Sequence, residues 1–476
     1  GHFTTIHAGH IRYLEHAFSK NKNVVVALVG DKQNNDLHFQ FSQSERASAL
    51  AHFPIIKKII LLESNEIDEA VIRINPEILL LGKEHEANPE KPIKEALIYL
   101  KKRKKLVEFH SGQTNYATTQ LLSKSENDLV IQRREEFKLA LKRQNLNKEN
   151  LLDSLKTLSS SKLLVIGDSI IDQFAACEAL GMSAEAPVIV VKELEQKNFI
   201  GGAAIVASHI TALNAKCEFI TITGKDENSS YLKKELKKRN IGDHIIIDES
   251  RPTTFKKRYV VENQKLFRVS KLEDKNISLN LELEIIKKID LLAEKVDGII
   301  VADFGYGVIT KKLIDYIYKK AKEFGLLLFG DVQSSSQIGD ITKLKNYSLL
   351  CPNEREARIA LRDKESGLES ISQNLMNITN SEQIIMKLGS NGFIAFERTE
   401  SSSNSQPFPA LTVNPVDTSG AGDSLLAVMS AGMASKEPMM VSAALSCCIA
   451  ALSVTKMGNQ PIHSNEIKDF INEILF

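Results

Sequence analysis

Two short apolar runs closed by Gly-Asp narrow the fold of this chain more than any other feature: Val24-Val25-Val26-Ala27-Leu28-Val29-Gly30-Asp31 and Leu163-Leu164-Val165-Ile166-Gly167-Asp168. A strand that is apolar at every position has no solvent face, so each run belongs inside a parallel sheet covered on both sides. The surroundings agree. An amphipathic stretch from Gly9 to Ser19 precedes the first run, and strand signals at Ile55–Leu62 and Ile78–Leu81 flank helical spacing over Ile67–Ile74. After the second run, strands are expected at Glu218–Thr223, Asp297–Ala302, Leu326–Asp331, Ser348–Cys351 and Gln383–Leu388, followed by a mostly helical C-terminal stretch. Strands alternating with helices give two α/β modules. At 476 residues, a chain of two to four domains is expected. The expected boundaries are 1–128 for the first module, 129–160 for a polar helical linker in which Leu139, Leu141, Leu151 and Leu155 could pack, and 161–476 for the second.

Composition removes several classes of function. Hydrophobic residues make up 43% and charged residues 25%, as in a soluble globular protein. No apolar run reaches the ~18–20 residues that cross a bilayer, and the first residues do not read as a signal peptide, so no membrane partner is expected. The net charge of +1 provides no electrostatic footprint for nucleic acid. The basic run Lys101-Lys102-Arg103-Lys104-Lys105 has no interleaved aromatics and reads as a solvated helix face. Five cysteines without metal spacing point to reduced thiols and a cytoplasmic location, with Cys447-Cys448 serving packing.

The densest chemical signal is Asp417-Thr418-Ser419-Gly420-Ala421-Gly422-Asp423-Ser424 ahead of the apolar helical run Leu425–Met433. Small residues let backbone N–H groups converge at a helix N-terminus, where the dipole favours an anionic phosphate. An aspartate there can take the proton of an attacking hydroxyl. Four further elements occur in order: Val165–Asp168 with Asp172; Gly201-Gly202-Ala203-Ala204; Pro352-Asn353-Glu354-Arg355-Glu356; and Lys387-Leu388-Gly389-Ser390-Asn391-Gly392. Together they resemble the ribokinase-like (PfkB) carbohydrate kinases over Leu163–Ile462. The resemblance implies a ribokinase-like α/β domain with a small β lid, ATP as phosphoryl donor, and Mg²⁺ ordered indirectly by Glu356. It makes Asp423 the base and assigns Gly420, Ala421, Gly422, Asn353, Glu356, Lys387, Gly389 and Gly392 to the nucleotide and its phosphates.

Within that family, Ser183-Ala184-Glu185-Ala186-Pro187, Thr254–Arg258, Gln264–Val269 and Asp303–Gly307 are similar to segments of the heptose-7-phosphate kinases of lipopolysaccharide biosynthesis. This implies substrate contacts from Asp172, Gly201, Gly202, Glu185, Lys257, Arg258, Arg268 and Asp303, with the basic residues clamping a phosphate already on the sugar. Ile205 stands for the family's asparagine, Tyr306 for the lysine of D-Y-x-K-G, and Gln333 for the lysine of D-P-K. The loss of two cationic positions predicts a different or less anionic sugar. A homodimer through the lid, built from 175–191 and 254–268, is expected.

At the N-terminus, His7-Ala8-Gly9-His10 sits just before a helix, where two imidazoles can face a triphosphate and stabilise departing pyrophosphate. No third ligand with suitable spacing follows, which argues against zinc. The opening Gly1–His10, Ser44-Glu45-Arg46, Leu80–Lys83 and Tyr116–Leu122 resemble the cytidylyltransferase-like nucleotidyltransferases, which implies a Rossmann-like domain. The resemblance assigns His7 and His10 to catalysis and Arg46, Thr118 and Thr119 to phosphate binding. Thr4 replaces the family's aspartate, and the family's first strand would lie upstream of Gly1. The pair of modules resembles the bifunctional heptose-7-phosphate kinase/heptose-1-phosphate adenylyltransferases in reversed order. It implies a sugar or sugar phosphate and nucleoside triphosphates, ATP or CTP, as small-molecule partners and an ADP-heptose type of product. Two alternatives stand beside it: cytidylyl transfer to a non-sugar alcohol phosphate, and a non-catalytic N-terminal binding domain.

Overall fold

The computed structural model describes residues 1–3, 6, 8–31, 41–63, 66–82, 85, 89–110, 126–262, 264–333, 339–398 and 403–475. They belong to two compact units, Gly1–Ser123 with Asp363–Ile371, and Lys124–Arg362 with Ser372–Phe476. His7, Thr118 and Thr119, with Thr4 and Lys83, lie outside the described residues.

In the first unit, β1 (Val24–Leu28) pairs in parallel with β2 (Ile56–Leu61), and β3 (Ile78–Gly82) pairs in parallel with β4 (Leu106–His110). Val24, Val26 and Leu28 bury one face of β1 against Phe3, Leu14 and Leu50. The helix Gln43–Ala51 starts at a reciprocal Ser42/Glu45 capping box, and Ile67–Ile74 stops at Asn75, which takes the left-handed conformation. β4 was not anticipated. Its short Leu-Val-Glu-Phe run follows the basic stretch directly, and Leu106 is exposed, so no continuous apolar signal marks it.

The second unit is built on a nine-stranded sheet in the order β17-β16-β15-β14-β13-β12-β5-β8-β9. In chain order its strands are β5 (Lys162–Gly167), β8 (Lys216–Thr223), β9 (Gly242–Ile247), β12 (Gly298–Asp303), β13 (Leu327–Val332), β14 (Leu349–Leu350), β15 (Gln383–Lys387), β16 (Phe393–Arg398) and β17 (Ser403–Phe408). Pairing is parallel from β15 through β9 and antiparallel from β15 to β17. β12 is buried along its whole length, as a strand covered on both faces must be. A second sheet, in the order β11-β10-β6-β7, consists of β6 (Ser169–Met182), β7 (Ile189–Gly202), β10 (Phe255–Val261) and β11 (Gln264–Lys271). This is the lid expected from 175–191 and 254–268.

The segment 129–160 does not stand apart from this unit. The helices Glu126–Arg143 and Lys148–Thr157 place Phe137, Ala140, Leu141, Leu151 and Leu155 in the same buried cluster as β5 and the helix Ala421–Ala434. Leu139, expected to pack, is 46% exposed, and Phe137 two residues earlier occupies the inward position.

Candidate active site

Of the five adjacent parallel strands from β5 to β15, four end in charged residues: Asp168 just after β5, Asp303 closing β12, Asp331 near the end of β13 and Lys387 closing β15. Sites gather at the carboxyl ends of such sheets, and here the helix Ala421–Ala434 begins at that edge. Its N-cap, Gly420, has φ +81°, and a Cβ there would lie 2.6 Å from Asn459 Oδ1. Asp417 pins the turn: its Oδ1 accepts from the Ser419 N–H at 3.0 Å and the Lys265 ammonium at 2.8 Å, and its Oδ2 from the Gly458 N–H at 3.1 Å. Burial opposes charge on Asp417, but these donors outweigh it and hold its carboxyl below the usual range.

Asp423 sits in the first helical turn, buried, with its Oδ1 accepting from Gln333 Nε2 at 3.0 Å. Burial, followed by the charge of Asp331, pushes its pKa up to about 7, against the pull of Lys387 and Lys256. A carboxylate poised near neutrality is what a general base requires. Asp331 is itself raised by burial and by Glu356, and it receives Lys387 Nζ at 2.8 Å.

The wall opposite comes from the lid. Asp172 Oδ1 accepts from Arg258 Nη1, and its Oδ2 from Asn459 Nδ2 at 3.0 Å. Gly201 is required by this approach, since a Cβ would lie 2.4 Å from Asp172 Oδ2. Lys256 is 4% exposed and stands 5.0 Å from the centre of the Tyr306 ring. Asp168 accepts backbone N–H groups from Phe304, Tyr306 and Val308 at 2.9, 3.3 and 3.2 Å, which fixes the loop after β12. Asp303 in that loop accepts from the Gly305 N–H and from Lys343.

Several expected positions are placed differently. Lys257 points to the other face of β10 and pairs with Glu193 at 2.8 Å. Side chains alternate along a strand, so Lys256 and Arg258 share the face that carries Asp172 and Lys257 does not. Arg268 lies opposite Arg258 in the ladder but is exposed. Glu185 sits at the exposed tip of the β6–β7 hairpin, and Asp172 to Met182 alone is ten residues of strand, ~33 Å at the usual rise. Asn353 and Glu356 form a capping box for the helix Glu354–Leu361, each side chain accepting the other's N–H at 2.8 Å. Glu356 nonetheless lies within electrostatic reach of Lys387 and Asp331. Gly389 and Gly392 have φ +59° and +86°, forming the turn after β15.

Reading the sequence missed Lys256, Asn459 and Asp331. Strand alternation with Arg258 marks Lys256, and the turn Gly458-Asn459-Gln460-Pro461 marks Asn459 only as a turn. Ile205, where an asparagine was expected, is fully buried, and Asn459 supplies an amide to Asp172 from another element.

Residues 160–466 match the family model described as pfkB family carbohydrate kinase. This chain belongs to the pfkB carbohydrate kinase family. Residues 1–120, ahead of the pfkB region, match the model described as cytidylyltransferase-like. Among curated proteins, the chain is 29% identical over 313 residues to the bifunctional protein HldE of Campylobacter jejuni, covering 65% of this chain and 64% of that protein. It is 29% identical over 317 residues to the bifunctional protein HldE of Desulfatibacillum aliphaticivorans, covering 65% and 63%. The chain thus spans under two thirds of the length of these relatives. Among solved structures, Arabidopsis thaliana ribokinase complexed with ribose and ATP has a TM-score of 0.52 at 19% identity, covering 65% of this chain and 98% of the ribokinase. Escherichia coli phosphofructokinase-2 has a TM-score of 0.55 at 13% identity, covering 66% and 99%. These likenesses show the ribokinase-like fold of the pfkB unit.

In the cytidylyltransferase-like unit, a cavity of about 810 Å³ is lined by His10, Tyr13, β1, β3 and His85, among others. His10 is in the first turn of the helix Ala8–Lys20, its ring 4.8 Å from that of Phe3. Arg46 is buried and committed to the fold: its guanidinium donates to the His2, Val29 and Phe41 carbonyls and to Asp31 Oδ1 at 2.6 Å. That placement makes it a clamp on the end of β1. Among the described residues no helix is long and apolar enough to cross a membrane.

Proposed function

We propose that this chain is a bifunctional sugar-activating enzyme that phosphorylates a sugar or sugar phosphate at the expense of ATP and then transfers a nucleotidyl group to the sugar 1-phosphate. The observation that carries the kinase half is Asp423: a buried carboxylate with a pKa near 7 at the start of the helix Ala421–Ala434. Its Oδ accepts the proton of the attacking hydroxyl. The hydroxyl oxygen bonds to the γ-phosphorus, and the bond from that phosphorus to the β–γ bridging oxygen breaks, its electron pair leaving with ADP. The amides of Gly420, Ala421 and Gly422 face the phosphates at the positive end of the helix dipole. Asn353, Glu356, Gly389 and Gly392 shape the nucleotide side.

Mg²⁺ arrives with ATP and supplies charge neutralisation on the phosphates. Glu356 offers a hard oxygen donor that suits it, one or two carboxylates beside phosphate oxygens being its usual setting. Asp172, held by Arg258 and Asn459, binds sugar hydroxyls, and Lys256 takes the anionic end of a sugar phosphate such as heptose 7-phosphate. The nucleotidyl half rests on His10 beside the 810 Å³ cavity, with His7, Thr118 and Thr119 assigned from the sequence. ADP-heptose is the product class that the resemblance to the heptose-7-phosphate kinase/heptose-1-phosphate adenylyltransferases favours.

Leu180, Met182, Val188, Ile189 and Leu194 are exposed on the β6–β7 hairpin, an apolar surface of the kind that marks an interface. It supports a homodimer through the lid, and the protein works in the cytoplasm. A ³¹P NMR product screen with ATP, CTP and heptose 7-phosphate tests the whole reading. A 1-phosphate followed by a nucleotide diphosphate sugar is expected, and His10→Ala stops the second product alone. Absence of any sugar phosphate from the wild-type chain sinks the kinase half. Unchanged nucleotidyl transfer in His10→Ala sinks the role given to that residue.

A further inference from the structure

Lys387 carries its ammonium into the pocket floor, against the start of the helix Ala421–Ala434. Its side chain lies along the second residue of the helix Ala421–Ala434: a Cβ on Gly422 would stand 3.2 Å from Nζ and 3.4 Å from Cδ. A side chain at Gly422 would crowd Lys387, which would have to give by a few tenths of an ångström. An ammonium at that point faces the positive end of the helix dipole, which favours anions and disfavours cations. It is also only 14% exposed, and a buried ion pair seldom repays its desolvation. Burial works against its charge, but the Asp331 and Glu356 carboxylates outweigh it and hold Lys387 protonated. One of its three N–H donors goes to Asp331 at 2.8 Å; no other hydrogen bond to the ammonium forms among the described residues. What resolves a cation held against a helix N-terminus is a polyanion arriving between them.

Resting on the kinase reading above, we propose that Lys387 is a catalytic residue that contacts the phosphoryl group in flight. Gln333, which stands where the family resemblance puts a lysine, is turned to Asp423 instead. The pocket floor is therefore not short of positive charge; it draws that charge from β15. Lys387 keeps its proton throughout. It balances the negative charge on the three equatorial oxygens as the bond to ADP breaks, while the hydroxyl proton goes to Asp423.

The test uses the full chain and Mg-ATP, with heptose 7-phosphate, fructose 6-phosphate and ribose as acceptors and ADP release as readout. Removing the ammonium alone would strand the Asp331 carboxylate, so the main variant is Asp331→Asn/Lys387→Met, with Lys387→Gln as the second. The double variant is expected to keep its thermal transition and lose about 100-fold in kcat with little change in KM for the acceptor, while Asp331→Asn alone stays within about tenfold of wild type. Near-wild-type turnover in either folded Lys387 variant overturns the proposal. So does a fall in Asp331→Asn as deep as that of the double variant, because the carboxylate would then be the working group. A wild-type chain that phosphorylates none of the acceptors defeats the kinase reading itself, a result distinguishable from both.

Discussion

The floor and the lid of the pfkB pocket are built on opposite terms. On the floor, Asp423, Asp331 and Lys387 come from three elements of the central sheet and its packed helix, all enclosed by core. Each charge there answers another, and the pinned Asp417 turn leaves little freedom. The lid is one sheet with its contacts spread thin. Asp172 and Lys256 are buried on one face, while residues along β11 and the β6–β7 hairpin are exposed. A rigid floor fixes what reaction can occur. A sheet that holds the substrate by a few side chains can change its choice of sugar without disturbing the chemistry.

That contrast can be broken by experiment. Asp423→Asn should lower kcat about 1,000-fold, within the span of general base catalysis, with KM for the sugar little changed. In the wild type, kcat/KM should climb as pH rises through about 7, where Asp423 loses its proton. A pH-independent profile would remove Asp423 from the base role. Lys256→Met should raise KM for a sugar phosphate about 10- to 100-fold, as expected for a charged contact of about 1.5–3 kcal/mol, and leave KM for ATP unchanged. Lys257→Met, on the other face of the same strand, should shift either constant by no more than about twofold, since its partner is Glu193 and it faces away from Asp172. Equal effects from the two lysines would refute the assignment of faces. Asn459→Ala should cost about tenfold in kcat/KM, one hydrogen bond to a charged group, because Asn459 joins lid to floor through Asp172.

The smallest effect concerns stability. The Asp423 pKa is raised on folding, so the folded chain holds its proton where the unfolded chain has released it. Stability from this group therefore falls as pH rises from about 4 to about 7 and is level above that. Asp423→Asn escapes the fall, so its thermal midpoint should exceed that of wild type at pH 8 and match it near pH 4. Differential scanning calorimetry at the two values decides the matter.

The floor was far more legible in the sequence than the lid, for a physical reason. Phosphate binding at a helix start needs small residues in an unbroken run, so Asp417–Asp423 is visible as a string. The central strands are legible too, because a strand without a solvent face must be apolar throughout. Lid residues act from separate strands, and strand alternation selects Lys256 over Lys257 only once Arg258 is known to face the pocket. Asn459 lies far along the chain from Asp172, and nothing local to either residue announces the contact. Arg46, assigned to phosphate chemistry from the sequence, also holds the end of β1 through the carbonyls of Val29 and His2, a role the E-R pattern does not announce.

The helices Glu126–Arg143 and Lys148–Thr157 carry a consequence for how such proteins are assembled by recombination. Phe137, Leu141, Leu151 and Leu155 lie in the core that backs the catalytic helix. A gene fusion joined at β5 would hand over a kinase lacking part of its own interior, whereas one joined ahead of Glu126 would transmit a portable whole. The exchangeable cassette is thus longer than the stretch that carries the kinase motifs. In this chain, the two helices belong with the kinase whose core they complete.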